Sequence, residues 1–279
     1  MSFFKKIIPV SVAVVALLLP AKLVAQTDVA LDPEFGGRLS VGVEKKIFKN
    51  LLVSLEEEMR MAGNFGTLGR LQTTLGVKYK VHPNIRLGAG YTLINPYDSE
   101  LGGFADMRHR FWADITGTLK VSDWTFSLKE RFQFTHRTGD FNQYQNPVNA
   151  MTLKSRAMAK YKGFGKFEPY AFFEIRHYLN APVIIANYDG TNYLTPEGNK
   201  KGEPGWFLEG FDGCYANRYR TALGVDINFN KQNMLGIFFL AEYICNKKVD
   251  ANAEGTKLKS YTKQTGFVGH IGLEYVFSF

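Results

Sequence analysis

The residues best placed to do chemistry in this chain are charged side chains that fall, segment after segment, opposite an apolar set. Arg60, Arg70, Lys78, Arg86, Arg108, Arg110, Lys129, Arg131, Lys154, Arg156, Arg176, Arg218 and Arg220 take the polar side. Glu56, Glu58, Asp114, Glu174, Asp226, Glu242 and Glu274 share it. Two chemistries suit such a set, and the sequence leaves both open. Paired guanidinium forks and carboxylates fill and cross-link a closed interior. A basic surplus on the same surface instead binds or passes an anionic solute carrying phosphate or carboxylate. Glu57 and Glu130 break the pattern by falling on the apolar side, where a carboxylate costs less than an arginine.

Other chemistries find little support. A serine hydrolase needs a histidine within reach of the serine and a third group to orient it. His82 lies in a turn, while His109, His136 and His177 approach strand ends without a serine in a recognisable motif, and no Gly-x-Ser-x-Gly occurs. There is no HExxH, no CxxC pair and no GxxxxGK[ST], so neither a metal nor a cofactor is implied. Cys214 and Cys245 are the only cysteines and are candidates for a disulfide near the outer end of one hairpin, although strict pairing leaves them out of register.

The elements that must position the charges are strands. In "LSVGVEK" the apolar set is Leu39, Val41 and Val43; in "LQTTLGVKY" it is Leu71, Leu75, Val77 and Tyr79, facing away from Arg70, Gln72, Thr74 and Lys78. The same period of two recurs in "LLVSLEEEMRM", "IRLGAGYTL", "RHRFWADITGTL", "WTFSLKERFQF", "MTLKSRAMAKY", "YAFFEIRHY", "RYRTALGVDINF", "MLGIFFLAEYIC" and "GFVGHIGLEYVFSF". Each segment is about ten residues, the length a tilted strand needs to cross a bilayer. Register is set by the arginines, because a slip of one residue would turn them toward lipid at about 2–4 kcal/mol each near the midplane.

These segments predict an all-β, antiparallel transmembrane β-barrel. Eleven are visible, and parity suggests a twelfth, short strand within Asp28–Gly37; ten to fourteen strands fit the pattern. Short turns at 48–50, 82–84, 121–123, 162–166 and 230–233 alternate with generally longer polar stretches, the longest at about 179–216. That asymmetry puts the short turns and the C-terminus in the periplasm and the long loop outside. Lys5 and Lys6 before "IIPVSVAVVALLLPA" read as a signal peptide over residues 1–25, leaving a barrel over 26–279. Removal of Lys5, Lys6 and Lys22 lowers the formal charge from +8 to +5, too modest a surplus to imply nucleic acid. Tyr275, Phe277 and Phe279 end the chain on one face of its last strand, as an assembly signal would.

The strand-borne arginines in "EEEMR" (56–60), "RHRFWADI" (108–115), "LKERFQF" (128–134), "LKSRAMAKY" (153–161), "FFEIRHY" (172–178) and "NRYRTALGVDINF" (217–229) give the chain a further likeness. From about Gly37 to Phe279 it resembles the small outer-membrane proteins grouped as "domain of unknown function 2490". The resemblance implies a small barrel with no assigned activity and supplies no catalytic residues.

The expectation is therefore a monomeric barrel of a Gram-negative outer membrane, whose partners are membrane lipid and the barrel-assembly machinery. Its foremost function is a narrow anion channel or binding barrel with an arginine-rich lumen. A lipid- or lipopolysaccharide-modifying enzyme and a surface scaffold or adhesion protein are the alternatives.

Overall fold

The computed structural model describes residues 27–139, 142, 145–187, 193–195, 198–200, 205–251 and 258–279. The signal peptide expected at 1–25 lies outside the described residues. Strands run as β1 (Thr27–Ala30), β2 (Glu34–Phe48), β3 (Leu51–Ala62), β4 (Thr67–His82), β5 (Ile85–Asp98), β6 (Gly103–Phe104) and β7 (Arg108–Val121). They continue as β8 (Trp124–Arg137), β9 (Asn149–Tyr161), β10 (Phe167–Asn187), β11 (Tyr193–Thr195), β12 (Gly198–Lys200), β13 (Gly205–Asn228), β14 (Asn233–Ala251) and β15 (Leu258–Ser278).

Eleven of these form a closed ring in the order β2-β3-β4-β5-β7-β8-β9-β10-β13-β14-β15, which returns to β2. The eleven patterned segments of the sequence all lie in ring strands. The twelfth does not exist as a ring position. β1 pairs in parallel with Thr262–Thr265 of β15, and β2 resumes along the same strand at Glu34↔Val268. Pro33, which has no N–H to donate to the ladder, lies in the break between them. An odd ring closes because β2 and β15 run parallel, whereas every other neighbouring pair in the ring is antiparallel. The start of β2 and the end of β15 are consequently at opposite rims.

Along the ring one face of each strand stays uncovered. Leu55, Leu75, Leu128, Leu223 and Ile271 are among many large apolar side chains left exposed on the outside, while their neighbours in sequence point in. β3 to β9 have ring strands of 12 to 16 residues, but β10, β13, β14 and β15 have 21, 24, 19 and 21. The segment 179–216, read from the sequence as loop, is thus largely strand: β10 and β13 keep pairing through register shifts as far as Asn187↔Gly205. Period-two patterning faded there because bulges repeatedly switch the facing side.

The interior is narrower than the exterior, so large inward side chains need room, and glycines directly across the ladder provide it. Trp112 faces Gly90, Tyr170 faces Gly224, Phe238 faces Gly272 and Asp114 faces Gly88. A Cβ on Gly90 would sit 2.3 Å from the Trp112 ring and 2.4 Å from the Leu75 carbonyl oxygen, which is backbone and does not swing away. Gly90→Val is therefore expected to cost about 1–3 kcal/mol through overpacking, read from chemical unfolding followed by tryptophan fluorescence. Gly117→Ala, whose Cβ would have nothing within 4 Å, is the control and should unfold like the parent. Equal midpoints for all three proteins would mean that Trp112 has no fixed seat.

Candidate functional site

The charges singled out in the sequence occur on the interior face in three tiers. Toward the short-turn rim, Lys78 pairs with Glu44 at 2.8 Å, and Lys160 pairs with Asp226 and, at 3.6 Å, with Glu168. Arg86 is exposed at this mouth, and Glu56 and Glu274 are half-buried just above it. All of these cations except Arg86 are lysines.

The middle tier is a network that crosses strands. Arg156 Nη2 lies 2.6 Å from Glu174 Oε2, and Arg220 Nη1 lies 2.8 Å from Glu174 Oε1. Arg220 also donates from Nε to Glu242 Oε2 at 2.6 Å, and Arg218 caps the other oxygen of Glu242. Arg38 of β2 reaches the same carboxylate from across β15, at 3.8 Å. Glu174 and Glu242 retain 2% and 1% of their exposure, so both depend on these arginines for solvation. Arg131 pairs with Asp114 at 2.5 Å and stacks 4.0 Å above the Trp112 ring, and Arg156 stacks 4.2 Å above Phe172. Arg60 donates to Glu58 at 2.5 Å, while Lys154 stands opposite Arg131 and Arg176 on the flanking strands. Charge, aromatic rings and glycine sockets together fill this level.

Above it, toward the long-loop rim, the cations are arginines and the acids thin out. Among the described residues Arg70, Arg108, Arg110, Arg137 and Arg176 pair with no carboxylate. Their hydrogen-bond acceptors are neutral: Arg110 Nε donates to Thr135 Oγ1 at 3.0 Å and Arg176 Nε to Asn217 Oδ1 at 2.8 Å. A cavity of about 220 Å³ opens beside the β2–β15 seam at this level, lined by Arg38, Arg60, Arg70 and Arg218 together with Glu34, Glu242 and His270. The Nε atoms of Arg38, Arg70 and Arg218 and Nδ1 of His270 are buried without a hydrogen-bond partner. Buried donors are seldom left so, and three guanidinium N–H groups around one cavity, with an unpartnered imidazole nitrogen beside them, mark a place where acceptors belong.

Other expectations resolve in detail. Glu57 and Glu130 remain on the outer face; each accepts a hydroxyl from the next strand at 2.6 Å, from Thr73 and Ser155 respectively. Ser155 thereby serves a carboxylate rather than an imidazole. Among the described residues no group of histidine, cysteine and acidic side chains is arranged to hold a metal. Cys214 and Cys245 are unbonded: the β13–β14 ladder stops at Arg218↔Ile244, short of both, and Cys245 pairs instead with Thr265 of β15. Tyr275 donates to Asn233 at 2.5 Å, Phe277 and Phe279 stack at 5.7 Å, and the Phe279 N–H bonds the Glu44 carbonyl at 2.9 Å.

Sequence reasoning missed the inward aromatics Trp112, Tyr170, Phe172 and Phe238, and it missed Arg38 and Arg137 as lumen groups. The signal was present in glycines such as Gly88, Gly90 and Gly272, which share the parity of the charges; only cross-strand register reveals what stands opposite each.

The family described as "Protein of unknown function (DUF2490)" matches residues 36–189. No curated protein matches the chain.

Proposed function

The chain belongs to a family of proteins of unknown function, DUF2490, and we propose that this member is an outer-membrane barrel that binds small anionic solutes in a cup open toward the long-loop rim. The observation that carries this reading is the tier of arginines without carboxylate partners, Arg70, Arg108, Arg110, Arg137 and Arg176, lying above a filled middle tier. Guanidinium forks in a water-poor interior are suited to oxyanions, and a net cationic cup concentrates them. The middle network and the ring-in-glycine packing favour binding over free passage, because the level below the cup is occupied by side chains.

A lipid setting supports the same reading. The exposed apolar positions run around the entire ring, far beyond the few hundred Å² that a soluble monomer leaves bare. The residues before the barrel act as the export signal, and Tyr275, Phe277 and Phe279 present the last strand to the assembly machinery.

Calorimetric titration of the purified barrel with citrate at low ionic strength tests the proposal. Binding that weakens steeply with salt, and at least tenfold in the combined variant Arg108→Gln/Arg110→Gln/Arg176→Gln, is the expected result. Large anion-selective conductance in planar bilayers would replace the cup with a pore. No citrate binding at any salt concentration would remove anion binding altogether.

A further inference from the structure

We infer that the cavity beside the β2–β15 seam is a subsite for a phosphoryl dianion, either free phosphate or the phosphate of a small monoester, held by Arg38, Arg70 and Arg218 with His270 as an added ligand. The inference rests on the reading of the lumen as an anion cup and narrows it to one place and one chemical class.

Charge comes first. Glu242 is shared among Arg218, Arg220 and Arg38, and Glu58 is engaged by Arg60. Glu34 spends one oxygen on the Gly63 N–H. Arg70 is left with no counterion and Arg38 with only the 3.8 Å approach. The cations around this cavity are all arginines, whose planar forks match phosphoryl oxygens in pairs, whereas the short-turn tier uses lysine. The ligands come from β2, β4, β13 and β15, so a bound dianion would be approached from several sides, as a tetrahedral group with three or more acceptor oxygens requires. His270 owes its place to Gly36, directly opposite, where a Cβ would stand 2.9 Å from Nδ1.

Size selects among anions. The volume of about 220 Å³ is below the roughly 300–1,000 Å³ of sites for drug-sized ligands, so the cavity itself suits a small anion, and a nucleotide or oligosaccharide would have to project out of it into the lumen. A phosphate or a one- or two-carbon monoester fits. A monocarboxylate would fit too, but it brings one charge and two oxygens to three guanidiniums and leaves donors unsatisfied.

The test is calorimetric titration of the full barrel in detergent micelles with inorganic phosphate, methyl phosphate and acetate at one ionic strength. Phosphate or methyl phosphate should bind at least tenfold more tightly than acetate, and whichever of the two is preferred identifies the free ion or the ester as the source. Arg70→Gln should weaken that binding roughly 10- to 100-fold, the loss of one charge-assisted contact. This substitution strands no buried carboxylate, and circular dichroism verifies that the barrel is folded; Arg70→Lys, which retains charge without the fork, should fall between. Lys162→Gln, at the opposite rim, should leave phosphate binding unchanged. Phosphate binding that survives both Arg70→Gln and Arg38→Gln but is lost in Arg108→Gln/Arg110→Gln/Arg176→Gln would overturn the subsite and retain the cup. Citrate binding with no phosphate binding would likewise overturn the subsite alone, whereas failure of every anion to bind would end both.

Discussion

Replacing Glu242 with leucine is expected to cost about 3–5 kcal/mol of stability, the loss that follows when one partner of a buried ion pair is removed. The carboxylate is 1% exposed and takes Arg220 at 2.6 Å, Arg218 on its other oxygen and Arg38 at 3.8 Å. Without it three guanidiniums face one another with no carboxylate shared between them, and Glu174 alone remains to serve Arg220. The damage should spread, because the network links β9, β10, β13 and β14 and reaches β2 across the seam. Denaturant unfolding in micelles measures it, with the double variant Glu242→Leu/Arg218→Met, which leaves Arg220 on Glu174, as the informative comparison. Removing the charges together should recover much of the loss, since a buried ion pair adds little net stability over apolar residues of similar volume. A single-variant loss below about 1 kcal/mol would mean that the middle tier is well hydrated, since a solvated pair is worth no more than that.

Leu75→Arg addresses the other side of the wall. Leu75 is 51% exposed, near the middle of β4 and opposite Leu55 and Tyr91 on the flanking strands. If hydrocarbon bathes this face, the guanidinium should cost about 2–4 kcal/mol when the barrel is unfolded reversibly from lipid vesicles. In water the same exchange at a half-exposed surface site would fall within about 0.5 kcal/mol of zero. The gap between these values is wide enough for one equilibrium measurement to decide, and a near-zero cost would take the membrane proposal with it.

The faces of the eleven strands were readable because the two sides of a closed wall carry opposite residue types, large apolar side chains exposed on the outside and charges within. Arg60, Arg70, Arg176 and Arg220 could not slip one place without penalty. Short turns such as 48–50 and 82–84 were readable for the same local reason, since each interrupts the alternation. Pairing was not readable. That Trp112 is opposite Gly90, or that Arg38 reaches Glu242, depends on registers between strands far apart in sequence, and period two is blind to register. Parity misled for a related reason: alternation looks identical whether the first and last strands meet antiparallel or parallel. In β10 and β13 the pattern failed where bulges between Arg176 and Ile184 changed which side faces in.

The parallel seam has a topological consequence. In an even ring both tails of the polypeptide leave on the same side, like the legs of a staple; here one leaves above and the other below. Thr27 and Phe279 are thereby held apart by the height of the wall. The molecule is shaped like a rivet, its two described ends emerging at opposite faces of the wall.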